Sequence, residues 1–273
     1  MWYNFNTFWG GSVKSVFINE EDMVVKEKIS SGGTGIIYNA SYDDLDLALK
    51  SFKYKKLIRR SNYSKLVQFC KDFNNIDNRL VTPMYLLGNN LFIHEYLTYL
   101  VKGDSFSSLS NLSIEEKIKI LRQAKELVFT MHDEYGIVHG DLHLGNFMYD
   151  KDDVHIIDFD GCKYDKYDLS MNFCNDISRA FIHKNGVSKD VDNFMFNIIT
   201  FAFLNECNSH DAVLRMVKKN YGVFDKNNVK DICERLVAYK ECNDFLIDSI
   251  DDSFYKKSKE NLFVRVKNTL SRR

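Results

Sequence analysis

The chain has 273 residues, of which 45% are hydrophobic and 14% aromatic, and its 37 basic and 38 acidic side chains leave a net charge of −1. This composition supports a sizeable core and excludes a disordered chain, and the balanced charge excludes a general electrostatic attraction to nucleic acid. The six cysteines form no CxxC pair and no apolar run reaches about 18 residues, so neither a zinc site nor a membrane span is predicted. We expect a cytoplasmic protein with reduced thiols, and the sequence gives no indication of its oligomeric state.

The first predicted elements form a hairpin around a glycine-rich turn. Residues 1–22 are an aromatic-rich extension that we expect to pack onto the domain. Residues 23–29 and 36–38 are predicted strands, and the glycine-rich turn, residues 30–35, connects them. Glycines let backbone N–H groups come close to phosphate groups, so this turn is a candidate phosphate site. The predicted strand at residues 47–50 ends in a lysine, which on its own would usually be a solvated residue at the edge of a sheet.

A helix and two strands follow, and then a long amphipathic helix. Residues 62–73 are predicted to be helical, and residues 81–87 and 91–97 are predicted strands. Residues 113–116 form a capping box, after which apolar residues recur at helical spacing. We expect this helix to end at Gly136.

Residues 139–161, which read HGDLHLGNFMYDKDDVHIIDFDG, hold the strongest candidates for catalysis. Asp141 and Asn146 are predicted to lie on one loop, because glycines close to both residues break regular structure there. The apolar runs that follow predict a hairpin, which returns Asp158 beside Asn146. Phosphoryl transfer uses such a set, since a carboxylate accepts the proton of the attacking hydroxyl and hard oxygen ligands bind Mg²⁺. Asp141 fits the base, and Asn146 and Asp158 fit the metal ligands.

Together these motifs resemble the catalytic and metal-binding loops of the protein-kinase-like phosphotransferases. The sequence HGDLHLGN resembles the motif of the aminoglycoside- and choline-kinase branch of the superfamily and that of divergent bacterial kinases. The resemblance implies an α+β, bilobal protein-kinase-like fold. Residues 23–97 would form a small lobe rich in antiparallel strands, and residues 98–273 a mainly helical large lobe with C-terminal helices. ATP and Mg²⁺ are the implied cofactors, and a hydroxyl group is the implied acceptor.

The resemblance also implies a set of nucleotide contacts. The glycine-rich turn is similar to the kinase pattern GxGxxGxV, with Ser30 in place of the first glycine, and residues 47–50 resemble the VAIK motif, whose lysine holds the α- and β-phosphates. The backbone of the strand at residues 91–97 is expected to bind adenine, with His94 at the gatekeeper position. The implied nucleotide-binding residues are Ser30, Gly32, Gly33, Gly35, Ile37, Ala48, Lys50, Glu95 and Leu97. The implied catalytic residues are Asp141, Lys50 and Asn146, and the implied metal ligands are Asn146 and Asp158.

Three departures from the kinase pattern bear on activity and regulation. No glutamate stands between Glu27 and Glu95, so Gln68 or Asp72 would have to replace the usual helical partner of Lys50. The arginine of the HRD motif is replaced by a glycine, and residues 162–189 contain no APE motif. Control by phosphorylation of that activation segment is therefore not expected.

The remaining expectations concern the C-terminal half. Asp190 resembles the aspartate that anchors the backbone of the catalytic loop, and residues 194–204 are predicted to form a buried helix. Residues 209–220, 227–240 and 242–270 are predicted helices, and the last of these has a basic face that we expect to be solvated.

Three functions remain open at this point. The VAIK-like strand, the hinge-like strand and the length of the activation segment narrowly favour a divergent Ser/Thr protein kinase. His143, Gly140 and the missing APE motif favour a small-molecule kinase instead. The missing helical glutamate favours a pseudokinase that binds nucleotide and acts as an interaction module.

Overall fold

The computed structural model describes residues 16–33, 35–53, 60–73, 76–89, 92–164, 167–168, 187–204, 206 and 245–249. The chain divides into two compact units, the first made of Met1–Asn74 and Pro83–Leu100 and the second of Asn75–Thr82 and Val101–Arg273. An antiparallel sheet dominates the first unit, whereas the second carries the two longest of the described helices. The predicted α+β class is confirmed.

Five antiparallel strands form the sheet of the first unit, in the order β1-β2-β3-β6-β5. The elements of this unit are β1 Met23–Ser31, β2 Gly35–Tyr42, β3 Leu45–Phe52, helix α1 Arg60–Asp72, β5 Tyr85–Asn89 and β6 Phe92–Tyr99. Alternate residues of a strand face opposite sides of the sheet, so Leu47, Leu49 and Leu97 meet in one core cluster. Lys50 follows Leu49 directly and therefore points to the other face.

Residues 16–18 lie along the outer edge of the sheet, next to β5. Phe17 forms a parallel bridge with Leu86, whose backbone N–H donates to the carbonyl of Val16 at 2.7 Å. The N–H of Ile18 in turn donates to the carbonyl of Leu86 at 3.2 Å. This pairing satisfies edge groups that would otherwise face solvent. The rest of the predicted extension before residue 16 lies outside the described residues.

Two small sheets and two long helices make up the described part of the second unit. The sheets have the orders β4-β10-β9-β7 and β12-β11-β8. The elements are β4 Leu80–Val81, β7 Asp104–Ser105, α2 Ile114–Asp133, β8 Ile137–Val138, β9 Phe147–Tyr149, β10 Val154–Ile157, β11 Lys163–Tyr164, β12 Tyr167–Asp168 and α3 Lys189–Leu204. Phe106 stacks on Phe147 and Phe203, with ring centroids 5.2 and 4.7 Å apart. Because Phe147 directly follows Asn146, this core fixes the position of that residue.

Helix α2 begins with the predicted capping box. The Ser113 side chain accepts a hydrogen bond from the N–H of Glu116 at 3.2 Å, and the Glu116 carboxylate accepts one from the N–H of Ser113 at 2.7 Å. The helix ends at Asp133, and Gly136 beyond it has a φ of +64°. Residues at helical spacing, among them Ile118, are fully buried, which confirms the predicted amphipathic helix.

Replacing Ser113 by alanine is expected to lower the free energy of unfolding by about 1 kcal/mol, because the N–H of Glu116 loses its acceptor. Urea denaturation followed by circular dichroism measures this change. The variant Ser113→Thr keeps the hydroxyl group and should stay close to the wild type. Equal stability of the alanine and threonine variants would show that the cap makes no net contribution.

The C-terminal half is described only in part. Residues 194–204 of α3 are buried, as predicted. A short 3₁₀ turn, Leu246–Ser249, is tied to α2 by an ion pair between Lys125 and Asp248 at 2.6 Å. The predicted helices at 209–220 and 227–240 and the basic face of 242–270 lie outside the described residues. Within the described ranges, no helix combines the length and the apolar character that crossing a membrane requires.

Candidate active site

A short hairpin positions Asn146 and Asp158 at neighbouring ends of two strands. Strands β9 and β10 pair antiparallel, with Ile156 opposite Phe147, so this register brings Ile157 opposite Asn146, and Asp158 is the next residue along the chain. The turn of the hairpin is held by Asp150, whose carboxylate accepts the backbone N–H groups of residues 152 and 153 at 3.0 and 2.8 Å. Burial raises the pKa of Asp150, but these bonds and one from His155 outweigh it, and the pKa lies below its ordinary value.

The loop of residues 139–146, which we call the HGD loop, brings Asp141 and Asn146 together. The side-chain amide Nδ2 of Asn146 donates to the backbone carbonyl of Asp141 at 3.0 Å. The ring Nδ1 of His143 accepts from the N–H of Gly145 at 3.0 Å, and the N–H of Asn146 donates to the carbonyl of His143 at 2.9 Å. These three bonds close the loop into a single tight turn, and the amide Oδ1 of Asn146 is directed away from Asp141.

His139 links the HGD loop to the strand that ends at Asp158. Its Nε2 lies 2.9 Å from the carbonyl of Ile157, and its Nδ1 accepts from the N–H of Asp141 at 3.3 Å. A carbonyl can only accept, so the hydrogen bonds assign the proton to Nε2. The imidazole also packs edge-on against Phe159, with centroids 5.0 Å apart. His139 therefore contacts both sides of the candidate site.

Asp158 adopts a left-handed backbone conformation, with φ of 73° and ψ of 54°. Non-glycine residues occupy this region at a cost, and such positions concentrate at functional sites. The fully buried ring of Phe159 follows at once and anchors the short 3₁₀ turn Phe159–Gly161. The backbone of Asp158 is thus held in its costly conformation by the packing of its neighbour.

The HGD loop is anchored from α3 by Asp192, and the prediction that Asp190 has this role is wrong. One carboxylate oxygen of Asp192 accepts from the N–H of Gly140 at 2.8 Å. The other accepts from the N–H of His139 at 2.7 Å and lies 2.9 Å from Nε2 of His132. Asp192 is fully buried, whereas Asp190 is exposed. Two positions along a helix differ in direction by about 200°, so only one of these aspartates can face the loop.

Sequence reasoning missed Asp192 and His132. Both α3 aspartates stand in the first turn of a helix, and their types do not distinguish them. The spacing of residues along the helix could have distinguished them, because Asp192 lies on the same buried face of α3 as Phe196 and Ile199. His132 likewise shares the buried face of α2 with Val128.

In the first unit, Lys50 lies on β3 with only 4% of its surface exposed. Its ammonium nitrogen is 5.8 Å from the ring centroids of both Phe52 and Tyr96, a distance at which cation–π attraction operates. Gly35 at the start of β2 packs directly against it, because a Cβ there would come within 3.2 Å of Lys50 Cγ and 2.9 Å of the carbonyl of Ser51. Glycine at position 35 is what allows β2 to approach this lysine.

The other predicted nucleotide contacts lie on the same hairpin and on β3. Ser30 is an exposed residue of β1, and Gly32 and Gly33 have no neighbour within 4 Å of the place a Cβ would take. Ile37 pairs with Lys50 across β2 and β3, and Ala48 is buried on β3. The structure brings Gly35, Ile37 and Lys50 together. Their roles in binding nucleotide stay predictions.

Comparison with known proteins supports this assignment of the motifs. Residues 71–181 match the model of a phosphotransferase enzyme family, and this range contains the HGD loop, the β9–β10 hairpin and Asp158. A protein of Acanthamoeba polyphaga mimivirus named "Putative serine/threonine-protein kinase L673" is 28% identical over 150 residues, which cover 51% of this chain and 26% of the relative. These similarities support the predicted likeness to the protein-kinase-like superfamily.

Two bacterial relatives are named as kinases of amicoumacin and of a lipopolysaccharide heptose. Amicoumacin kinase of Bacillus subtilis (strain 168) is 39% identical over 71 residues, which cover 23% of this chain and 19% of the relative. The lipopolysaccharide core heptose(II) kinase WaaY of Escherichia coli (strain K12) is 25% identical over 111 residues, which cover 40% of this chain and 47% of the relative. The chain spans less than half the length of each of these three relatives.

The role of Glu95 and Leu97 in binding adenine stays a prediction. Both residues lie inside β6 and have ladder partners on β3 and on β5. The carbonyl of Leu97 already accepts the N–H of Met84 at 2.8 Å. His94, the predicted gatekeeper, contacts Glu20 through its ring Nε2 at 2.8 Å. The ladder between β5 and β6 ends at the pair of Tyr85 and Leu97.

The expected replacement for the superfamily's helical glutamate is a pair of residues on α1. Gln68 donates from Nε2 to Oδ1 of Asp72 at 2.7 Å. The pair links neighbouring turns along the helix. Whether either residue takes over the glutamate's function stays a prediction.

Gly140 occupies the position of the superfamily's HRD arginine and leaves little room for any side chain. Its φ is +78°, and a Cβ there would come within 3.1 Å of Val187 Cγ1. The carbonyl of Val187 accepts from the ammonium of Lys163 at 3.1 Å. An arginine at this position would be strained by its backbone and crowded by Val187. The greater part of the activation segment, residues 162–189, lies outside the described residues.

The donor atoms at the candidate metal site suit Mg²⁺. Asn146 offers an amide oxygen, since its Nδ2 is committed to Asp141, and Asp158 offers a carboxylate. Mg²⁺ prefers hard oxygen ligands and takes few of them from the protein, completing its shell with water and phosphate oxygens. Among the described residues, no group of three or more acidic, histidine or cysteine side chains is arranged to hold a metal ion.

Proposed function

We propose that this chain is an ATP-dependent kinase that transfers the γ-phosphate of ATP to an alcohol hydroxyl group. The observation that carries the proposal is the hydrogen bond from Asn146 Nδ2 to the carbonyl of Asp141. That bond holds a candidate base and a candidate metal ligand on one turn, next to the hairpin end that presents Asp158. Phosphoryl transfer depends chiefly on positioning and charge stabilisation, which this arrangement supplies.

Each residue has a distinct part in the proposed reaction. Asp141 orients the acceptor hydroxyl and takes its proton as the oxygen attacks the γ-phosphorus, and the bond from that phosphorus to the β–γ bridging oxygen breaks to release ADP. Asn146 and Asp158 would hold Mg²⁺, which neutralises charge on the phosphate oxygens. Lys50 contributes a fixed positive charge to the α- and β-phosphates. His139 and Asp192 hold the backbone that carries Asp141 and do not themselves take part in proton transfer.

We expect the adenine ring to bind the backbone that follows Leu97. The β5–β6 ladder stops at the pair of Tyr85 and Leu97, whereas the β3–β6 ladder continues to Leu47 and Tyr99. The segment that follows Leu97 therefore has β3 but not β5 as a ladder neighbour. The chain then passes from the first unit into the second at Leu100 and Val101.

A serine or threonine of a protein is the first candidate for the acceptor. It rests on the VAIK-like strand and on the similarity to the mimivirus protein, which covers 51% of this chain. A small-molecule hydroxyl is the second candidate, favoured by Gly140 and by Val187 packed over it. That packing leaves no place for the arginine that grips a phosphorylated activation segment in protein kinases.

A labelling experiment tests the proposal. Purified protein is incubated with γ-labelled ATP and Mg²⁺, with generic protein acceptors or with a panel of aminoglycosides and sugars. We expect transfer by the wild type and a loss of at least about 100-fold in Asp158→Ala, because charge stabilisation by the metal is removed. The matched control Asp152→Ala changes an exposed carboxylate in the hairpin turn and should retain activity.

The pattern of labelling separates the remaining functions. Label on protein acceptors assigns a protein kinase, and label on small molecules alone assigns a small-molecule kinase. ATP binding without transfer to any acceptor, or equal transfer by Asp158→Ala and the wild type, would contradict the proposed activity and favour the pseudokinase.

A further inference from the structure

A second lysine of the first unit contacts the glycine-rich turn. Lys53 follows β3 directly, and its ammonium group donates a hydrogen bond to the backbone carbonyl of Gly32. Unlike Lys50, which is buried on β3, Lys53 is exposed. None of the kinase motifs in the sequence includes it, and the proposed reaction gives it no part.

Among the described residues, one further hydrogen bond spans the turn. The N–H of Gly32 donates to the carbonyl of Gly35 at 3.0 Å, which closes the turn across its base. At Gly32 and Gly33 nothing lies within 4 Å of the position a Cβ would take, so side-chain packing does not hold this peptide. Glycine peptides reorient at low cost because neither residue has a Cβ to restrict them. The bond from Lys53 is therefore the contact that can decide which way the peptide between Gly32 and Gly33 faces.

The orientation of that peptide determines what the turn offers to a ligand. In a planar trans peptide the carbonyl of one residue and the N–H of the next point in opposite directions. When Lys53 draws the carbonyl of Gly32 towards itself, the N–H of Gly33 must point to the opposite side. An N–H in a glycine-rich turn is a donor suited to phosphate oxygens. A carbonyl in the same place would repel them.

We propose that Lys53 is a positioning residue for the nucleotide phosphates: it orients the Gly32–Gly33 peptide so that the Gly33 N–H is presented to a phosphate oxygen. This inference rests on the proposed function, since it takes the ligand to be ATP. It adds a residue outside the VAIK-like strand, and it assigns Lys53 an indirect action through the backbone. Lys50 and Lys53 then serve one ligand in different ways, the first by its charge and the second by fixing a turn.

The experiment compares nucleotides that differ in their phosphates. Dissociation constants for MgATP, MgADP and adenosine are measured by calorimetry for the wild type, Lys53→Met and Lys53→Arg. We expect Lys53→Met to bind both phosphorylated ligands about tenfold more weakly, the size of one hydrogen bond to a charged group. Adenosine binding should change less than about twofold, and Lys53→Arg should restore most of the loss. In steady-state assays KM for ATP should rise while kcat changes little.

A matched lysine and a double mutant separate positioning from direct contact. Lys28→Met removes the same charge from an exposed site on β1 and should leave every constant unchanged. Gly33→Pro deletes the N–H in question, and Gly33→Ala retains it in open space. If Lys53 acts through that N–H, Gly33→Pro and the double variant with Lys53→Met should each lose about tenfold, and the losses should not multiply.

Several outcomes would overturn the inference. Multiplying losses in the double variant would assign Lys53 to a direct phosphate contact. Unchanged MgATP binding in Lys53→Met, or an equal loss for adenosine, would remove Lys53 from phosphate positioning while leaving the kinase proposal intact. Absence of MgATP binding by the wild type would instead contradict the proposed function, and the inference with it.

Discussion

Replacing Asp192 by alanine is expected to lower the free energy of unfolding by about 3–5 kcal/mol and to abolish most phosphotransfer. The carboxylate is fully buried and serves the N–H groups of His139 and Gly140 together with Nε2 of His132. Its removal leaves these buried donors without an acceptor, and a partly satisfied buried network is strongly destabilising. Urea denaturation measures the stability, and the labelling assay measures the activity at a temperature where the variant is still folded.

The neighbouring aspartate provides the control for this prediction. Asp190 lies in the same first turn of α3 but is exposed, so Asp190→Ala should change the free energy of unfolding by less than about 0.5 kcal/mol. Asp192→Asn keeps one acceptor oxygen but turns an amide donor towards backbone N–H groups, and we expect an intermediate loss. A large effect of Asp190→Ala with a small effect of Asp192→Ala would contradict the assignment of the anchor.

The difference between these two aspartates shows where sequence reasoning stopped. Capping chemistry, the hairpin and the grouping of Asp141 with Asn146 depend on residues close together in the chain, and such local arrangements were predictable. The anchor from α3 joins residues 52 and 53 positions apart. It depends on the rotational phase of a helix packed in the core, which a motif comparison does not resolve.

The predicted adenine contacts lie at a place where the sequence is also silent about the sheet. The run around Glu95 and Leu97 has the apolar and β-branched character of a strand, and it is one. The sequence does not reveal that β6 extends along β3 to Tyr99, beyond its last pair with β5 at Leu97. The point where one neighbouring strand ends before the other is a property of the whole sheet. Such a register becomes visible only when all its strands are paired.

Local signals also missed Lys53. Neither the residue type nor the position of Lys53 in the sequence distinguishes it from other exposed lysines of the sheet. Lys26 is one of these, and its ammonium group pairs with Asp46 at 3.1 Å. The distinguishing feature of Lys53 is its hydrogen bond to the carbonyl of Gly32, which lies in the turn between β1 and β2. The candidate site thus combines residues that motifs can name with residues that only the folded backbone brings to them.

Replacing Asp141 by asparagine is expected to reduce kcat by about 10²–10⁴-fold, the usual contribution of a general base. The substitution preserves the shape of the side chain, and two hydrogen bonds that hold the HGD loop use the backbone of residue 141: the carbonyl accepts from Asn146, and the N–H donates to His139. The fold and the affinity for MgATP should therefore remain close to those of the wild type. Single-turnover kinetics and calorimetry on the same preparations measure the two quantities separately.

The control for this second prediction is Asp133→Asn, which removes an exposed carboxylate that pairs with Lys189 at 2.7 Å and should leave kcat unchanged. A normal kcat in Asp141→Asn would show that another group, or the substrate itself, takes the proton. Lost MgATP binding with a normal rate at saturation would place Asp141 among the metal or nucleotide ligands. The base assignment requires the remaining combination, in which MgATP binds normally and the chemical step fails, because only a group that acts on the acceptor hydroxyl separates the two measurements in this way.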